Sequence, residues 1–388
     1  MKVDKKVPEI RFKGFSGEWR NTELAELALF NPKEELPVSF KYVDLESVKG
    51  TSLIGYKEEL KENAPSRAQR LAKKSDVFFQ TVRPYQKNNY LFNKDEIDFV
   101  FSTGYAQLRP YYDSDFLLNL IQRDPFVKDV LDNCTGTSYP AINASILASL
   151  EVSYPESKEE QTAIGKYFQK LDSLINQHQQ KHDKLCNIKK AMLEKMFPKQ
   201  GETIPEIRFK GFSGEWEERA ICDLFTVTRG NVLAATKTSP VPTPDKCFPV
   251  YSSQTKNNGL MGFYDRYLFE SAITWTTDGA NAGTVNFREG KFYSTNVNGV
   301  LLSDEGYANK AVAEILNKEA WKHVSHVGNP KLMNNVMSAI KITVPNSAEE
   351  QTAIGNTFQK LDALINQHQQ QITKLNNIKQ ACLSKMFV

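Results

Sequence analysis

The chain has 388 residues, 40% hydrophobic and 24% charged, an ordinary globular composition that excludes a disordered chain or a tiny stapled scaffold and allows two or three domains. Its formal net charge of +3 is small for this length, so a nucleic-acid partner has to be met by local basic surface and not by a global field. No window approaches the roughly 20 apolar residues of a bilayer span and the first residues carry no apolar stretch of signal-peptide length, which predicts a cytoplasmic protein; five cysteines without a CxxC pair predict reduced thiols, with neither a disulfide framework nor a zinc site.

The first element is a head, residues 7–19, VPEIRFKGFSGEW, which returns at 204–216 as IPEIRFKGFSGEW. A segment with short strand-like runs, such as 76–79 and 151–154, follows. Directly after 76–79 comes a polar loop, 80–89. Its Arg83, Tyr85, Gln86, Lys87 and Asn88 are residue types that contact base edges and grip phosphates. Ser138 and Tyr139, in Thr135-Gly-Thr-Ser-Tyr139, are weaker candidates of the same kind. The plain alternative for all of them is solvated surface.

After Pro155 a helix is expected. Ser157 can cap it, and Glu159 and Glu160 complement its positive end. Apolar residues recur at alternating spacings of four and three, Ile164, Phe168, Leu171 and Ile175, which is a coiled-coil seam. The seam continues through His178 to Leu185, then slips by one position to Ile188, Met192 and Met196. With no Gly or Pro beyond Gly165, the helix can run about 39 residues, or about 58 Å. The same pattern returns after Pro345 as Ile354, Phe358, Leu361, Ile365, His368 and Leu375, then Ile378, Cys382 and Met386. Gln169, Asn176, Gln177, Gln179 and Gln180 are mirrored by Gln359, Asn366, Gln367, Gln369 and Gln370. A merely solvated face does not need this identity, so a symmetric partner is expected to dock there; a stalk that only dimerises is the plainer reading.

The second variable segment carries Ser253, Gln254, Lys256 and Asn257 after strand-like 248–251. Thr277 and Asn281 lie in a predicted hairpin turn between 273–275 and 285–287, and their side chains are candidates to face a DNA ligand. Lys331 falls in Gly328-Asn-Pro-Lys331, opposite 135–139 of the first copy. Segments 140–155 and 330–345 align apolar against apolar, whereas the middles share little else. The chain therefore reads as two similar α/β domains, 1–155 and 201–345, with different surfaces, separated by helices at 156–200 and 346–388. The helices are expected to pair antiparallel as an internal pseudo-two-fold repeat, with one globular domain at each end and each head near the end of the other helix.

His178 and His182 have the spacing of a metal pair, but their counterparts are His368 and Ile372, so a seam histidine is the better reading. His323 and His326 lack cysteine or carboxylate support. No metal site is assigned. Neither a Walker loop nor a GxGxxG fingerprint occurs, and middle one has no histidine for a duplicated catalytic site.

The heads, the Pro…Glu-Glu-Gln…Ile helix starts at 155–164 and 345–354, and their tandem order resemble the specificity subunit of type I restriction-modification enzymes. Phe101-Ser-Thr-Gly104 to Leu108-Arg-Pro110 looks like a stretch of that family's recognition domains. The resemblance implies a DNA-binding adaptor without catalysis of its own. Each variable domain would be a target recognition domain reading one half of a bipartite, asymmetric double-stranded DNA site. The helices would set the gap and dock two methyltransferase subunits, which restriction subunits join. S-adenosylmethionine, ATP and magnesium would belong to those partners. Beside it stand a subunit of a methylation-only system, a coiled-coil scaffold with two ligand-binding lobes, and a fused nuclease or methyltransferase, for which neither metal-ligand carboxylates nor an S-adenosylmethionine loop is found.

Overall fold

The computed structural model describes residues 6–136, 138–253 and 256–388, with only the backbone of Lys256. Two compact units emerge, Met1–Gln179 with Gln370–Val388, and Gln180–Gln369. Each holds one head, one variable lobe, the start of one long helix and the end of the other. The helices are Lys158–Lys195 and Ala348–Lys385, 38 residues each, or about 57 Å. Both begin as the caps predict: Ser157 Oγ accepts from the Glu160 N–H at 3.2 Å and donates to Glu159 at 2.8 Å, and Ser347 does the same with Glu350 and Glu349 at 3.2 and 2.7 Å.

In the first unit the helix segments run antiparallel, with Asp172 paired to Lys379 and the Tyr167 hydroxyl 3.6 Å from the Cys382 thiol. Ile164, Phe168 and Leu171 are buried. Phe387 stacks on Phe116 at 5.6 Å and meets the edge of Trp19 at 5.9 Å. The second unit repeats the scheme. Lys189 pairs with Asp362 at 2.6 Å, and Phe197 stacks on Phe358 at 5.6 Å beside Trp216. Ile354 and Phe358 are buried, and Leu361 half-buried. Ile175, Leu185, Ile365 and Leu375 are only half-buried, so the seam is tight where a lobe covers it. Past the slip, Met196 and Met386 are buried and Met192, Ile378 and Cys382 pack half-buried against the cores, but the expected seam needs correction at one position of each helix. Ile188 is 38% exposed, and Leu383, absent from the expected seam, is buried.

The repeated heads hold the helix ends. Arg11 makes two 2.7 Å bonds to Glu160, and Arg208 two 2.6 Å bonds to Glu350. Both glutamates are 1% exposed, so the second Glu of each helix start serves less to complement the helix dipole than to receive a guanidinium fork. Gln161 and Gln351 donate to the carbonyls of Pro155 and Pro345. The Ile10 N–H bonds the Lys385 carbonyl and Ile207 that of Lys195, each at 2.9 Å, satisfying an acceptor a helix end leaves open. Head one thus sits at the end of helix two, and head two at the end of helix one.

The lobes share a topology. In the first, one sheet has the order Ala28–Phe30, Tyr105–Pro110, Val77–Gln80, Tyr90–Leu91, and another Lys57–Leu60, Ser39–Val43, Phe99–Ser102, Ala68–Leu71. The second lobe joins them into six strands, ordered Thr226–Arg229, Asn298–Leu302, Phe269–Thr276, Val285–Ser294, Phe248–Tyr251, Leu260–Tyr264. Its two longest strands each do the work of two shorter ones. Both lobes keep a parallel pair at the corresponding place, 99–101 on 41–43 and 293–294 on 250–251. The strand at 151–154 and the hairpin between 273–275 and 285–287 occur as the sequence predicts, the second strand of that hairpin running on to Ser294.

Candidate nucleic-acid interface

The polar loop of the first unit leaves strand Val77–Gln80 and is built from beneath. Gln80, 2% exposed, takes the Asn89 side-chain oxygen on its N–H at 2.8 Å, donates to Gln86 Oε1 at 2.9 Å and accepts from the Asn88 N–H at 3.2 Å. Arg83 and Lys87 both sit in the left-handed region, at φ 55° and 54°, flanking the short 3-10 turn Pro84–Gln86. The Arg83 N–H bonds the Pro140 carbonyl at 2.7 Å, and Val82 bridges to Ala141. Loop 83–88 and the stretch carrying Ser138 and Tyr139 are thereby brought together. The Arg83 guanidinium lies 4.4 Å over the Tyr139 ring. Tyr85, Ser138 and Tyr139 are exposed, while Lys87 is engaged by Asp124. Asn88 accepts from the Gly50 N–H at 2.8 Å, tying the loop to a second one, 44–56.

These two loops enclose a cleft of about 490 Å³ whose lining includes Lys49, Arg67, Arg83, Gln86 and Asn88. Lys49 and Arg67 escaped sequence reasoning because Arg67 is placed by the pairing of Ala68–Leu71 with the distant strand at 99–102, and Lys49 by a short hairpin tied to the loop through the Gly50–Asn88 hydrogen bond.

In the second unit a network of the same form identifies the counterpart of Arg83. The Thr81 N–H and hydroxyl both donate to the Gly104 carbonyl, and its own carbonyl accepts from Ile142. Thr277 does the same with Val297 and Leu332. The counterpart of loop 83–88 is therefore 279–284, and Gly279, at φ 96°, stands where Arg83 stands. The described residues on either side of 254–255, Ser252, Ser253 and 256–258, which follow a strand as 80–89 do, stand instead in the place of 44–56. Both stretches combine a strand with a polar loop; the threonine after the strand, Thr81 or Thr277, is the sequence signal that marks the true pair.

Thr277 is fully buried, with its hydroxyl 2.9 Å from Val297 O and 2.7 Å from Asp278 Oδ2. This overturns its expected place on a ligand-facing surface: it organises the turn. Asn281 and Lys331 are exposed, Lys331 Nζ lying 3.9 Å from Asp278, and the Gly279 N–H bonds Pro330 O at 2.9 Å. Ser253 is half-buried and Asn257 exposed; Gln254 and the Lys256 side chain lie outside the described residues. A smaller cavity, about 90 Å³, is lined by amides, hydroxyls and one guanidinium, including Ser252, Asn258, Asn286, Asn298 and Arg288. Arg288 stacks 3.8 Å over Tyr251 and donates to Thr274 Oγ1 at 3.1 Å. Burial lowers its pKa to about 10. Each lobe thus places a cavity at the same station of its fold, lined in one by Lys49, Arg67 and Arg83 together with Glu46 and the apolar Leu45, Val48 and Ile54, and amide-rich and narrow in the other.

Among the described residues no cluster of three or more His, Cys, Asp or Glu is placed to hold a metal, and no helix is long and apolar enough to cross a membrane. His182 lies 3.1 Å from Asp183.

The family model described as "Type I restriction modification DNA specificity domain" matches residues 44–187 and 213–377. A protein of Mycoplasma pneumoniae named as the N-terminus of a type I specificity subunit is 40% identical over 126 residues, which are 31% of this chain and 65% of that one. The specificity subunit of the type I restriction enzyme MpnII, from the same organism, is 38% identical over 100 residues, 25% of this chain and 30% of its own. The chain thus covers under two thirds of these relatives. The crystal structure of a type I restriction-modification S subunit from M. genitalium superimposes with a TM-score of 0.68 at 16% identity, covering 98% and 99% of the two chains. A structure described as concerning assembly and conformational transition of the type I R-M system gives 0.50 at 19% identity, covering 95% and 97%. With two matched domains occupying most of its length, the chain belongs to the type I restriction-modification DNA specificity family.

Proposed function

We propose that the chain is the non-catalytic DNA-reading subunit of a type I restriction-modification complex, each lobe recognising one half of a bipartite, asymmetric site. One observation carries the reading: two lobes of one topology, in units whose heads lock onto a repeated helix frame by the same Arg–Glu fork, present unlike cavities at the same station. Different surfaces on one fold suit different half-sites, while a common frame suits two copies of one partner. On this reading the repeated amide face, Gln169 to Gln180 and Gln359 to Gln370, receives two methyltransferase subunits, and restriction subunits join through them. S-adenosylmethionine, ATP and magnesium belong to those partners, and the complex works in the cytoplasm.

The paired helices set the gap between half-sites. Inserting four residues in each long helix adds about 6 Å and is expected to lengthen the gap by about two base pairs, at about 3.4 Å per pair. Methylome sequencing of cells carrying the insertion reads the gap directly, and an unchanged gap rules out the helical ruler.

A further inference from the structure

The cations of the first unit differ in their partners. Arg11 is forked to Glu160, Arg109 is held by Asp76 and Glu34, Arg20 reaches Glu156, and Lys87 reaches Asp124. Arg83 is unlike them. Among the described residues no carboxylate lies within ion-pair distance of its guanidinium, which rests on the exposed Tyr139 ring and lines the cleft. Its backbone occupies the left-handed region, where glycine fits without cost and other residues are uncommon. The second lobe has glycine at this very station, Gly279. The turn therefore does not require arginine, and the first lobe carries one there despite the backbone cost.

The surroundings fix where this side chain projects. Gln80 braces the turn from below, Pro140 O holds the Arg83 N–H, and the Tyr139 ring supports one guanidinium face. A guanidinium stacked by its face keeps its N–H edge available for a planar acceptor pair. In a DNA groove the acceptor pair that matches this fork is O6 and N7 of guanine on the major-groove edge. A phosphate also accepts from arginine, but lysine serves there as a point charge.

Resting on the DNA-reading function above, we propose that Arg83 reads a guanine in the half-site recognised by the first lobe, with Tyr139 as its positioning residue. The test is methylome sequencing of cells expressing the chain with its methyltransferase. Arg83→Ala and Arg83→Lys are each expected to relax one G·C position of one half-site, lowering discrimination there about 10- to 100-fold, while the other half-site is unchanged. Tyr139→Leu loosens the same position, and Tyr139→Phe, which keeps the ring, recovers it. Thermal melting of each purified variant separates loss of reading from loss of folding, and a variant that melts early is replaced by Arg83→Gln under the same readout. An unaltered motif, or uniform weakening that Arg83→Lys rescues, overturns guanine reading and leaves the wider function standing. Absence of sequence-specific methylation with the unsubstituted chain overturns both.

Discussion

The same aspartate of the repeat meets opposite surroundings in the two units. Asp362 lies between Lys189 and Lys310, both also within reach of Glu314. Burial works to raise its pKa, but the hydrogen bonds from the two lysines outweigh burial, and it stays below its ordinary value. Its counterpart Asp172 has Lys379 but also neighbours Asp115. Burial, then the charges of Asp113 and Asp172, pushes Asp115 up to about 6. The repeated helix is thus a constant frame that tolerates unlike lobes; the cost of each lobe is settled locally, by what it puts against that frame.

The largest test strikes what the units share. Arg11→Ala and Arg208→Ala each leave a glutamate 1% exposed without its fork, and each is expected to destabilise its own unit by about 3–5 kcal/mol. Urea unfolding followed with a probe in each unit checks this; a loss in only one unit breaks the equivalence of the two forks.

A smaller test separates the units. At Gly165 a Cβ would lie 2.2 Å from Asp113 Oδ1 and 3.0 Å from the Phe116 nitrogen, whereas at Gly355 the nearest atom is the Ala311 nitrogen at 3.4 Å. Gly165→Ala is expected to cost about 1–3 kcal/mol through overpacking. Gly355→Ala is expected to gain up to about 1 kcal/mol from helix propensity. Paired melts of the two variants show opposite signs if the lobes seat on the frame as described.

The smallest effect is electrostatic. A carboxyl whose pKa rises on folding binds its proton more tightly in the folded state, so the first unit gains stability as pH falls from about 7 towards 4. Asp362, lowered on folding, works the other way: its contribution is full above its unfolded value and is lost as pH falls through the folded one. Asp115→Asn is expected to stabilise the first unit by about 1 kcal/mol at pH 7, after solvent screening, and to flatten its pH dependence. Stability measured from pH 4 to 7 that is unaffected by the substitution removes this contrast.

Much of the frame was legible in sequence because it is periodic and repeated. Ile164, Phe168, Leu171, Ile354 and Phe358 announce a buried seam by spacing alone, and Ser157 and Ser347 announce the helix starts. The role of the heads was not legible, since Arg11 and Glu160 meet only in the folded chain. The cavities were half legible. Loop composition pointed to Arg83, Gln86 and Asn88, but Arg67 and Arg288 reach their cavities through strand pairings that no local pattern reports, and Lys49 through a short hairpin tied to the loop by the Gly50–Asn88 hydrogen bond. Thr277 carried the right composition and the wrong address, buried under the turn it stabilises.

The most direct test of a two-lobed DNA reader is genome-wide methylation mapping with the gene present and deleted, alongside its methyltransferase. The account predicts one motif of two unlike half-sites around a fixed gap, lost on deletion. A motif that survives deletion, or an uninterrupted palindrome, would contradict it.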